Sequence, residues 1–518
     1  MPTPGPLDAV IVGAGHNGLV AAAYLARAGR SVTVLERRGI VGGACVTEEI
    51  APGVRTSSGA YSLSLLRPEI WQELELARRG LTVIPKDPQL FIPLPGRGHL
   101  FIWRDAARTR EELERFSPDE ADGYERYNAF WAEAIALLRP LLLREAPSLA
   151  ALRTQAQRAG QGDVFRLAVE ASAAEVVERF FATDVMRGAF VTQGVIGTAA
   201  SPRHPGTAYV MAHHLLGGVA GIDGTWGYVV GGMGSVTAAI ADAAREAGAS
   251  IRTDAPVEEI LPGEGVRLVG GEVVRARVVL SNADPKRTFI GLLPDGALPS
   301  SARDAIEAID TRGSVIKVNL ALGELPRYVG LEAEGVGPQH RGTVEICPSV
   351  DYLQRSWAQA DAGDVSDEPF MEVFCSSSVD DSLAPPGIQV LSCFAQYAPQ
   401  GDRSRWDEQR DAAGDAVIAT LARYAPNVPG AIVAREVLGP PDIEERFGLT
   451  GGNIFHGEIL PGALFGERPV PGWGGGARTP VPGLYLCGSG AHPGGGVMGA
   501  PGRNAATAVL EDLAREDG

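Results

Sequence analysis

Residues 8–36 read DAVIVGAGHNGLVAAAYLARAGRSVTVLE, and this stretch decides the fold. Residues 9–12 are a short apolar run typical of a buried parallel strand, and residues 31–35 form a second such run. Between them a glycine turn opens an alanine-rich segment, residues 19–28, which indicates a helix closed by Gly29. The order strand, turn, helix, strand predicts the first unit of an α/β fold with a parallel sheet.

The glycine turn has the spacing G-x-G-x-x-G at Gly13, Gly15 and Gly18. Gly13 permits a tight turn, Gly15 lets the backbone approach a diphosphate, and Gly18 permits close packing of helix and strand. His16 and Asn17 complete the turn at the positive end of the helix. Glu36 ends the second strand, eighteen residues beyond Gly18, where a carboxylate accepts hydrogen bonds from a ribose. The stretch therefore predicts a bound dinucleotide.

The residues after Glu36 distinguish FAD from NAD, the two common dinucleotides that bind at this kind of glycine turn. Arg37 and Arg38 are followed by the pair Gly42 and Gly43, which lets a second loop pack on the diphosphate of an extended FAD. No second G-x-G-x-x-G with a following acidic residue occurs, so the sequence does not predict a dedicated NAD(P)H domain. FAD is the predicted cofactor.

A second glycine-rich stretch, CGSGAHPGGGVMGA at residues 487–500, follows the apolar run LYL. It predicts a strand, a glycine loop and a helix whose free N–H groups lie against the flavin and stabilise its negative charge on reduction. The candidate cofactor residues here are Gly488, Ser489, Gly495, Gly496 and Val497.

The rest of the chain divides by pattern. Residues 100–215 are mostly helical in character, residues 231–280 return to α/β character, and alternating apolar runs within residues 313–440 suggest an antiparallel sheet. A length of 518 residues predicts two or three domains.

Composition excludes several classes of function. The formal net charge of −17 argues against nucleic acid as a partner. Five widely spaced cysteines without a C-x-x-C pair argue against a disulfide framework, a zinc site or a disulfide reductase, and we expect no metal. Reduced thiols suggest a cytoplasmic protein. No apolar stretch of about 18 residues predicts a membrane span.

Several stretches together resemble the phytoene desaturase-like FAD-dependent oxidoreductases of the flavin amine oxidase superfamily. They are DAVIVGAGHNGLVAAAYLARAG, ERRGIVGGACVTEE, VDDSLAPP, GGNIFHGE and GLYLCGSGAHPGGGVMGAPGRNAA, and they spread over almost the whole chain. The resemblance extends to the subgroup of pyridine nucleotide-disulphide oxidoreductase domain-containing proteins and their bacterial relatives, and next to the oxygenase-type carotene ketolases.

The resemblance implies a Rossmann-type FAD-binding domain, of the glutathione reductase-like kind, with an inserted substrate domain of mixed sheet and helix. The FAD-binding domain would comprise residues 1–85, 216–295 and 441–518, and the substrate domain residues 86–215 and 296–440. It also implies that Arg38 and Gly43 lie near the sugar and diphosphate, that Val257 contacts the adenine, and that Gly59 and Ala60 border the flavin. Ala44 stands where many relatives have arginine, so the resemblance does not extend to that diphosphate contact.

In the resembled enzymes the flavin takes a hydride at N5 from a C–H bond, so the protein needs no dedicated base. The candidates for a direct role are His492, in the second glycine loop, and His456, in NIFHGE. The pair His213–His214 is a weaker candidate, because neighbouring side chains on a strand point to opposite faces. Lys317 and Lys286 are interpreted as side chains that snorkel from a sheet edge.

The helical insertion is rich in Leu, Ala and Phe, which suits either an apolar substrate tunnel or a cap that keeps water from the flavin. The leading hypothesis is a dehydrogenase for an apolar small molecule, with peripheral membrane contact as one source of substrate. The alternatives are a ketolase or flavin monooxygenase, an amine oxidase, and a non-catalytic FAD-binding partner protein. The pattern leaves the oligomeric state open.

Overall fold

A computed structural model describes residues 5–219, 221–331 and 335–517, and its elements follow the apolar runs of the sequence. The strands are β1 (Leu7–Val12), β2 (Val32–Leu35), β3 (Thr47–Ala51), β4 (Val54–Ser57), β5 (Val83–Pro85), β6 (Leu90–Leu94), β7 (Gly98–Ile102), β8 (Gly218–Val219), β9 (Ile222–Asp223), β10 (Gly227–Val229), β11 (Ser250–Arg252), β12 (Val257–Leu261), β13 (Gly265–Leu268), β14 (Val273–Ser281), β15 (Val315–Leu322), β16 (Thr343–Ile346), β17 (Phe370–Cys375), β18 (Gln389–Gln396), β19 (Ile432–Leu438) and β20 (Leu484–Leu486). The α-helices are α1 (His16–Arg27), α2 (Pro68–Glu73), α3 (Ala106–Phe116), α4 (Pro118–Leu138), α5 (Leu149–Arg158), α6 (Gly162–Phe165), α7 (Ala173–Phe180), α8 (Asp184–Val191), α9 (Thr207–Leu215), α10 (Gly234–Glu246), α11 (Ser300–Glu307), α12 (Pro338–Arg341), α13 (Val350–Asp361), α14 (Arg403–Ala422), α15 (Val428–Ala431), α16 (Pro440–Phe447) and α17 (Ala500–Asp517).

The first sheet joins distant parts of the chain. Its parallel strands lie in the order β11-β2-β1-β14-β20, and the start of β14 also pairs antiparallel with β13. Helices α1, α10 and α17 pack together, and their small apolar side chains form a buried layer with the strands. A parallel sheet covered by helices is the predicted Rossmann-type α/β fold, which the structure confirms.

The second sheet has the order β19-β15-β18-β17-β16-β6-β7. Its strands from residues 313–440 pair antiparallel, as predicted. The exception is β6, which pairs in parallel with β16, so the complete sheet is mixed. One face packs against α14 in an apolar layer, and the opposite face lines the cavity described below.

Helices α3 to α9 form most of the predicted helical region and share a large apolar core with the second sheet. The pair His213–His214, which we placed on a strand, lies instead on α9, whose residues 207–214 are all buried. Because α9 is buried on all sides, its sequence lacks the alternation of apolar and polar faces that would have identified a helix. Among the described residues, no helix combines the length and apolar character needed to span a bilayer.

Candidate cofactor and substrate site

A cavity of about 800 Å³ extends from the β1–α1 turn to the second sheet, a size usual for cofactor and substrate sites. The predicted cofactor residues that line it are Gly13, Gly15, His16, Asn17, Glu36, Arg37, Arg38, Gly42, Gly43, Ala44, Gly59, Ala60, Val257, Ser489, Gly496 and Val497. Residues from three separate parts of the chain therefore meet at one cavity.

Three predicted glycines are not part of its lining, as far as the described residues show: Gly18, Gly488 and Gly495. Each lies in a close contact. A Cβ on Gly18 would lie 2.3 Å from the Gly13 oxygen, one on Gly488 2.6 Å from the Asn282 oxygen, and one on Gly495 2.8 Å from the Phe455 ring. These contacts give the three glycines a packing role beside the site.

The two N-terminal glycine loops lie against each other. The Gly42 N–H donates to the Ala14 oxygen at 2.8 Å, and a Cβ on Gly43 would lie 3.3 Å from the Gly15 Cα. Gly15 precedes the first turn of α1, which no side chain of the described residues caps. The loops and the free N–H groups of α1 thus form a backbone cradle that suits a diphosphate.

Glu36 braces this cradle. Its carboxylate is buried and accepts hydrogen bonds from the N–H groups of Ala14 and Arg38, both at 2.9 Å. The fingerprint predicted only a contact with a ribose. The structure adds a structural contact, because the same carboxylate fixes the turn that precedes α1.

The neighbouring arginines differ in their contacts. Arg37 donates to the backbone oxygens of Glu445 and Arg446, both at 2.7 Å, and so ties β2 to α16. Arg38 pairs with Glu48, while its Nη1 atom is buried and has no partner among the residues described. Of these two arginines, Arg38 is therefore the one with a buried donor left for a ligand.

The C-terminal glycine loop meets the N-terminal turn at Asn17, whose Nδ2 lies 3.5 Å from the Ser489 Oγ. Arg468 holds this loop from behind: its buried guanidinium donates to the backbone oxygens of Ser489 and Glu458, among others. Val497 has a positive φ of 59°, which a branched side chain rarely adopts. Packing by its surroundings therefore fixes the shape of the loop.

The chemistry of the cradle fits FAD. Besides Arg38 Nη1, the buried atoms His16 Nε2 and Asn17 Oδ1 find no partner within the described part of the chain. Buried polar atoms are normally hydrogen-bonded, so their grouping at a glycine cradle indicates a polar ligand. Glu36, Arg38 and the α1 N-terminus would hold the adenosine and diphosphate, and the loop at Ser489–Val497 would border the flavin.

His456 lies in the cavity wall beside His16. Its backbone φ is 62°, and its Nδ1 atom is buried without a partner among the described residues. Burial lowers the pKa of His16 to about 3, with a smaller effect from His456. Burial likewise lowers the pKa of His456. Both imidazoles are therefore neutral near pH 7, and in each ring one nitrogen donates a hydrogen bond and the other accepts one.

The other histidine candidates have protein partners. The Nε2 atom of His492 lies 2.8 Å from the Leu141 oxygen, away from the cavity. On α9, His213 Nε2 lies 2.9 Å from the Gly495 oxygen, and His214 Nδ1 lies 2.8 Å from the Val210 oxygen. His213 therefore supports the glycine loop from outside, and His214 contributes to the cavity wall.

Charged residues of the second sheet form a cluster that the sequence analysis missed, apart from Lys317. Lys317 was expected at a sheet edge, but β15 lies between β18 and β19 and the side chain is buried in the cavity wall. Glu372 lies two strands away and accepts hydrogen bonds from Tyr61 at 3.0 Å and Gln193 at 2.8 Å. A single charged residue within each apolar run, as in VIKVNLAL and FMEVFC, was the signal available in the sequence.

Helix α4 contributes a mostly aromatic part of the cavity wall. Tyr124, Tyr127 and Trp131 lie at helical spacing on one face of α4. They line the cavity together with Ile135, Phe190, Ile196 and Trp226. The region beyond the cofactor cradle therefore has one aromatic wall and one wall with buried charges.

The chain is similar to known proteins over almost its whole length. A family model described as flavin containing amine oxidoreductase matches residues 18–510. The pyridine nucleotide-disulfide oxidoreductase domain-containing protein 2 of Rattus norvegicus is 40% identical over 98% of this chain and 94% of its own length. A lycopene-forming phytoene desaturase of Pseudescherichia vulneris is 24% identical over 97% and 99%. The structure of cyclohexylamine oxidase from Brevibacterium oxydans superimposes with a TM-score of 0.59 at 18% identity, covering 99% and 100%.

Proposed function

This chain belongs to the flavin-containing amine oxidoreductases and is an FAD-dependent oxidoreductase, and on that premise we propose that it dehydrogenates a largely apolar small molecule. When bound, FAD supplies the acceptor for a hydride at its N5 atom. The substrate would lose that hydride from one carbon and would release a proton from its neighbour to water, and the electron pair of that C–H bond would form a carbon–carbon double bond.

The observation that carries this proposal is the aromatic wall of α4, which continues the cofactor cradle within one cavity. Tyr127 and Trp131 are almost wholly buried, and Tyr127 packs edge-on against Trp131 and beside Phe190. A rigid aromatic surface positions an apolar body and excludes water, which is what hydride removal from a C–H bond requires. The likeness to phytoene desaturases supports the same substrate class.

The test is an anaerobic titration of the purified yellow protein with a carotenoid, a fatty acyl compound and a primary amine. We expect an apolar compound to bleach the flavin absorbance and the amine to leave it unchanged. Bleaching by the amine alone would overturn the proposal in favour of amine oxidation. A protein that is yellow but bleached by none of these would also contradict it.

Incorporation of oxygen into the product distinguishes a dehydrogenase from the remaining alternative, a ketolase or monooxygenase. A ketolase or monooxygenase consumes oxygen and transfers an oxygen atom to its product, whereas a dehydrogenase changes only the oxidation level of the substrate. Turnover in labelled oxygen, followed by mass spectrometry of the product, distinguishes them. We expect no label in the product.

A further inference from the structure

Two of the three lysines of this chain lie in the wall of the cavity. Lys86 and Lys317 are each only 2% exposed. Lys86 donates to the Thr343 hydroxyl at 3.0 Å, and Lys317 donates to the Ser392 hydroxyl. An ammonium group has three N–H donors, so each lysine has donors left after its protein contact.

Aromatic rings hold both ammonium groups in place. The Lys86 nitrogen lies 4.0 Å from the centre of the Phe374 ring, and the Lys317 nitrogen lies 4.4 Å from that of Tyr61. The Tyr61 and Phe374 rings are themselves 4.5 Å apart. The two lysines therefore flank one aromatic pair, whose ring faces stabilise a positive charge. Burial lowers the pKa of Lys86 and of Lys317 to about 7, so the charged form of each lysine is favoured as the pH falls below 7.

Neither lysine forms an ion pair with a carboxylate of the described residues, although Arg side chains form many. Glu372 lies nearby, but both its oxygens already accept hydrogen bonds, from Tyr61 and Gln193. Glu345 is the register partner of Glu372 on β16. Burial and the neighbouring Glu372 raise the pKa of Glu345 well above its ordinary value, which favours the neutral form of Glu345.

The cluster thus presents two buried lysines beside Glu372, and neither lysine is in an ion pair with it. A buried charge without a partner is costly and is retained where a ligand supplies the partner. We propose that Lys86 and Lys317 form a cationic subsite that binds the carboxylate of an apolar carboxylic acid, whose body lies along the aromatic wall of α4. This rests on the proposed function, since it names the substrate class of the same cavity, and it disfavours both a plain hydrocarbon and a protonated amine.

The experiment is calorimetric titration of the FAD-loaded protein at about pH 6.5 with dodecanoate, dodecanol and dodecylamine, three probes with one apolar body and different ends. We expect dodecanoate to bind at least about tenfold more tightly than dodecanol, and dodecylamine more weakly than either. Equal binding of dodecanoate and dodecanol would overturn the proposal without any variant.

Variants locate the subsite. We expect at least one of Lys86→Met and Lys317→Met to weaken dodecanoate binding about tenfold or more and to leave dodecanol binding unchanged. Lys286→Met is the matched control, because Lys286 is the third lysine and is outside the cavity lining as described. Dodecanoate binding at wild-type strength in both cavity variants would overturn the proposal.

The two proposals can fail separately. Binding needs no turnover, so selective dodecanoate binding without flavin bleaching would contradict the dehydrogenase and leave the subsite in place. Flavin bleaching by a hydrocarbon, together with equal binding of dodecanoate and dodecanol, would contradict the cationic subsite and leave the dehydrogenase in place.

Discussion

Gly15 lies at the point where an added methyl group has no room. A Cβ there would be 2.6 Å from the Asn282 Nδ2 atom, although the backbone φ of −67° suits alanine. We expect Gly15→Ala to displace Asn282, block the approach of the diphosphate and lower FAD affinity about tenfold or more. Flavin fluorescence during titration of the apoprotein measures this.

The control for Gly15→Ala is Gly430→Ala, on α15, where a Cβ would meet no atom within 4 Å. We expect FAD affinity within about twofold of wild type, since nothing must move. A folded Gly15→Ala variant with wild-type FAD affinity would contradict the assigned role of the first glycine turn.

The two histidines predicted to act directly differ in their surroundings, so their variants should differ in outcome. His456 lines the cavity at a positive φ that asparagine tolerates. We expect His456→Asn to retain FAD and to slow anaerobic flavin reduction about tenfold. Stopped-flow absorbance with the substrate that bleaches the flavin measures the rate.

His492→Asn is the comparison. His492 bonds to the Leu141 oxygen outside the cavity, so we expect a lower melting temperature and a reduction rate within about twofold of wild type. The reverse pattern, with His492 controlling the rate and His456 only stability, would show that the imidazole in the glycine loop contacts the reacting groups.

At the scale of elements, Arg468 connects segments that the sequence presents as separate. Its guanidinium donates to the backbone oxygens of Phe455, Glu458, Ala463 and Ser489. Lysine offers three donors at one point and cannot reach this spread of acceptors. We expect Arg468→Lys to release the glycine loop, with loss of about 2–4 kcal/mol of stability and faster FAD dissociation.

Arg435→Lys is the matched control, because Arg435 forms exposed pairs with Asp411 and Asp415. Exposed pairs contribute about 0–1 kcal/mol, so little change is expected. Thermal unfolding and the release of free flavin on dilution measure both variants. Equal effects of the two substitutions would contradict the role assigned to Arg468 in holding the C-terminal glycine loop.

The elements that the sequence predicted are those with a local signal. The run VIVGAG, the alanine-rich α1 and the run LYLCGSG each combine a period with a glycine turn, and they form β1, α1 and β20 as expected. The hairpin β6–β7 was missed because it depends on pairing with β16, some 250 residues later. Neither Lys86 nor Glu372 could be assigned to the cavity from sequence, since register across strands decides which face each side chain occupies.

At the scale of the whole molecule, the cavity is formed by parts of the chain that alternate in sequence. Both lysines and Glu372 come from segments other than those that hold the glycine turns. Each glycine turn could be predicted from its own stretch of sequence, because the shape of the backbone there follows from the local residues. The charged wall could not, because it forms only when the two sheets are in place.

The buried histidines give the molecule a predicted response to acid. Burial lowers the pKa of six of them. The pKa falls to about 3 or 4 in His16, His213, His214, His456 and His492, and it falls below its ordinary value in His340. The unfolded chain therefore binds protons near pH 6.5 that the folded chain does not. Stability supplied by the neutral imidazoles is complete above about pH 6.5 and is lost as pH falls towards 4.

Buried carboxyl groups oppose this loss of stability. Burial raises the pKa of Glu458 to about 7, so at lower pH the folded chain binds a proton there and no longer has a buried negative charge. Six histidines outweigh the three glutamates whose pKa burial raises, Glu345, Glu372 and Glu458. We expect the melting temperature to fall between about pH 6.5 and pH 4.5, and to fall more steeply in Glu458→Gln, which lacks the opposing carboxyl. A melting temperature that rises over this interval, or a Glu458→Gln curve parallel to wild type, would contradict the assignment of neutral buried imidazoles and a protonating Glu458.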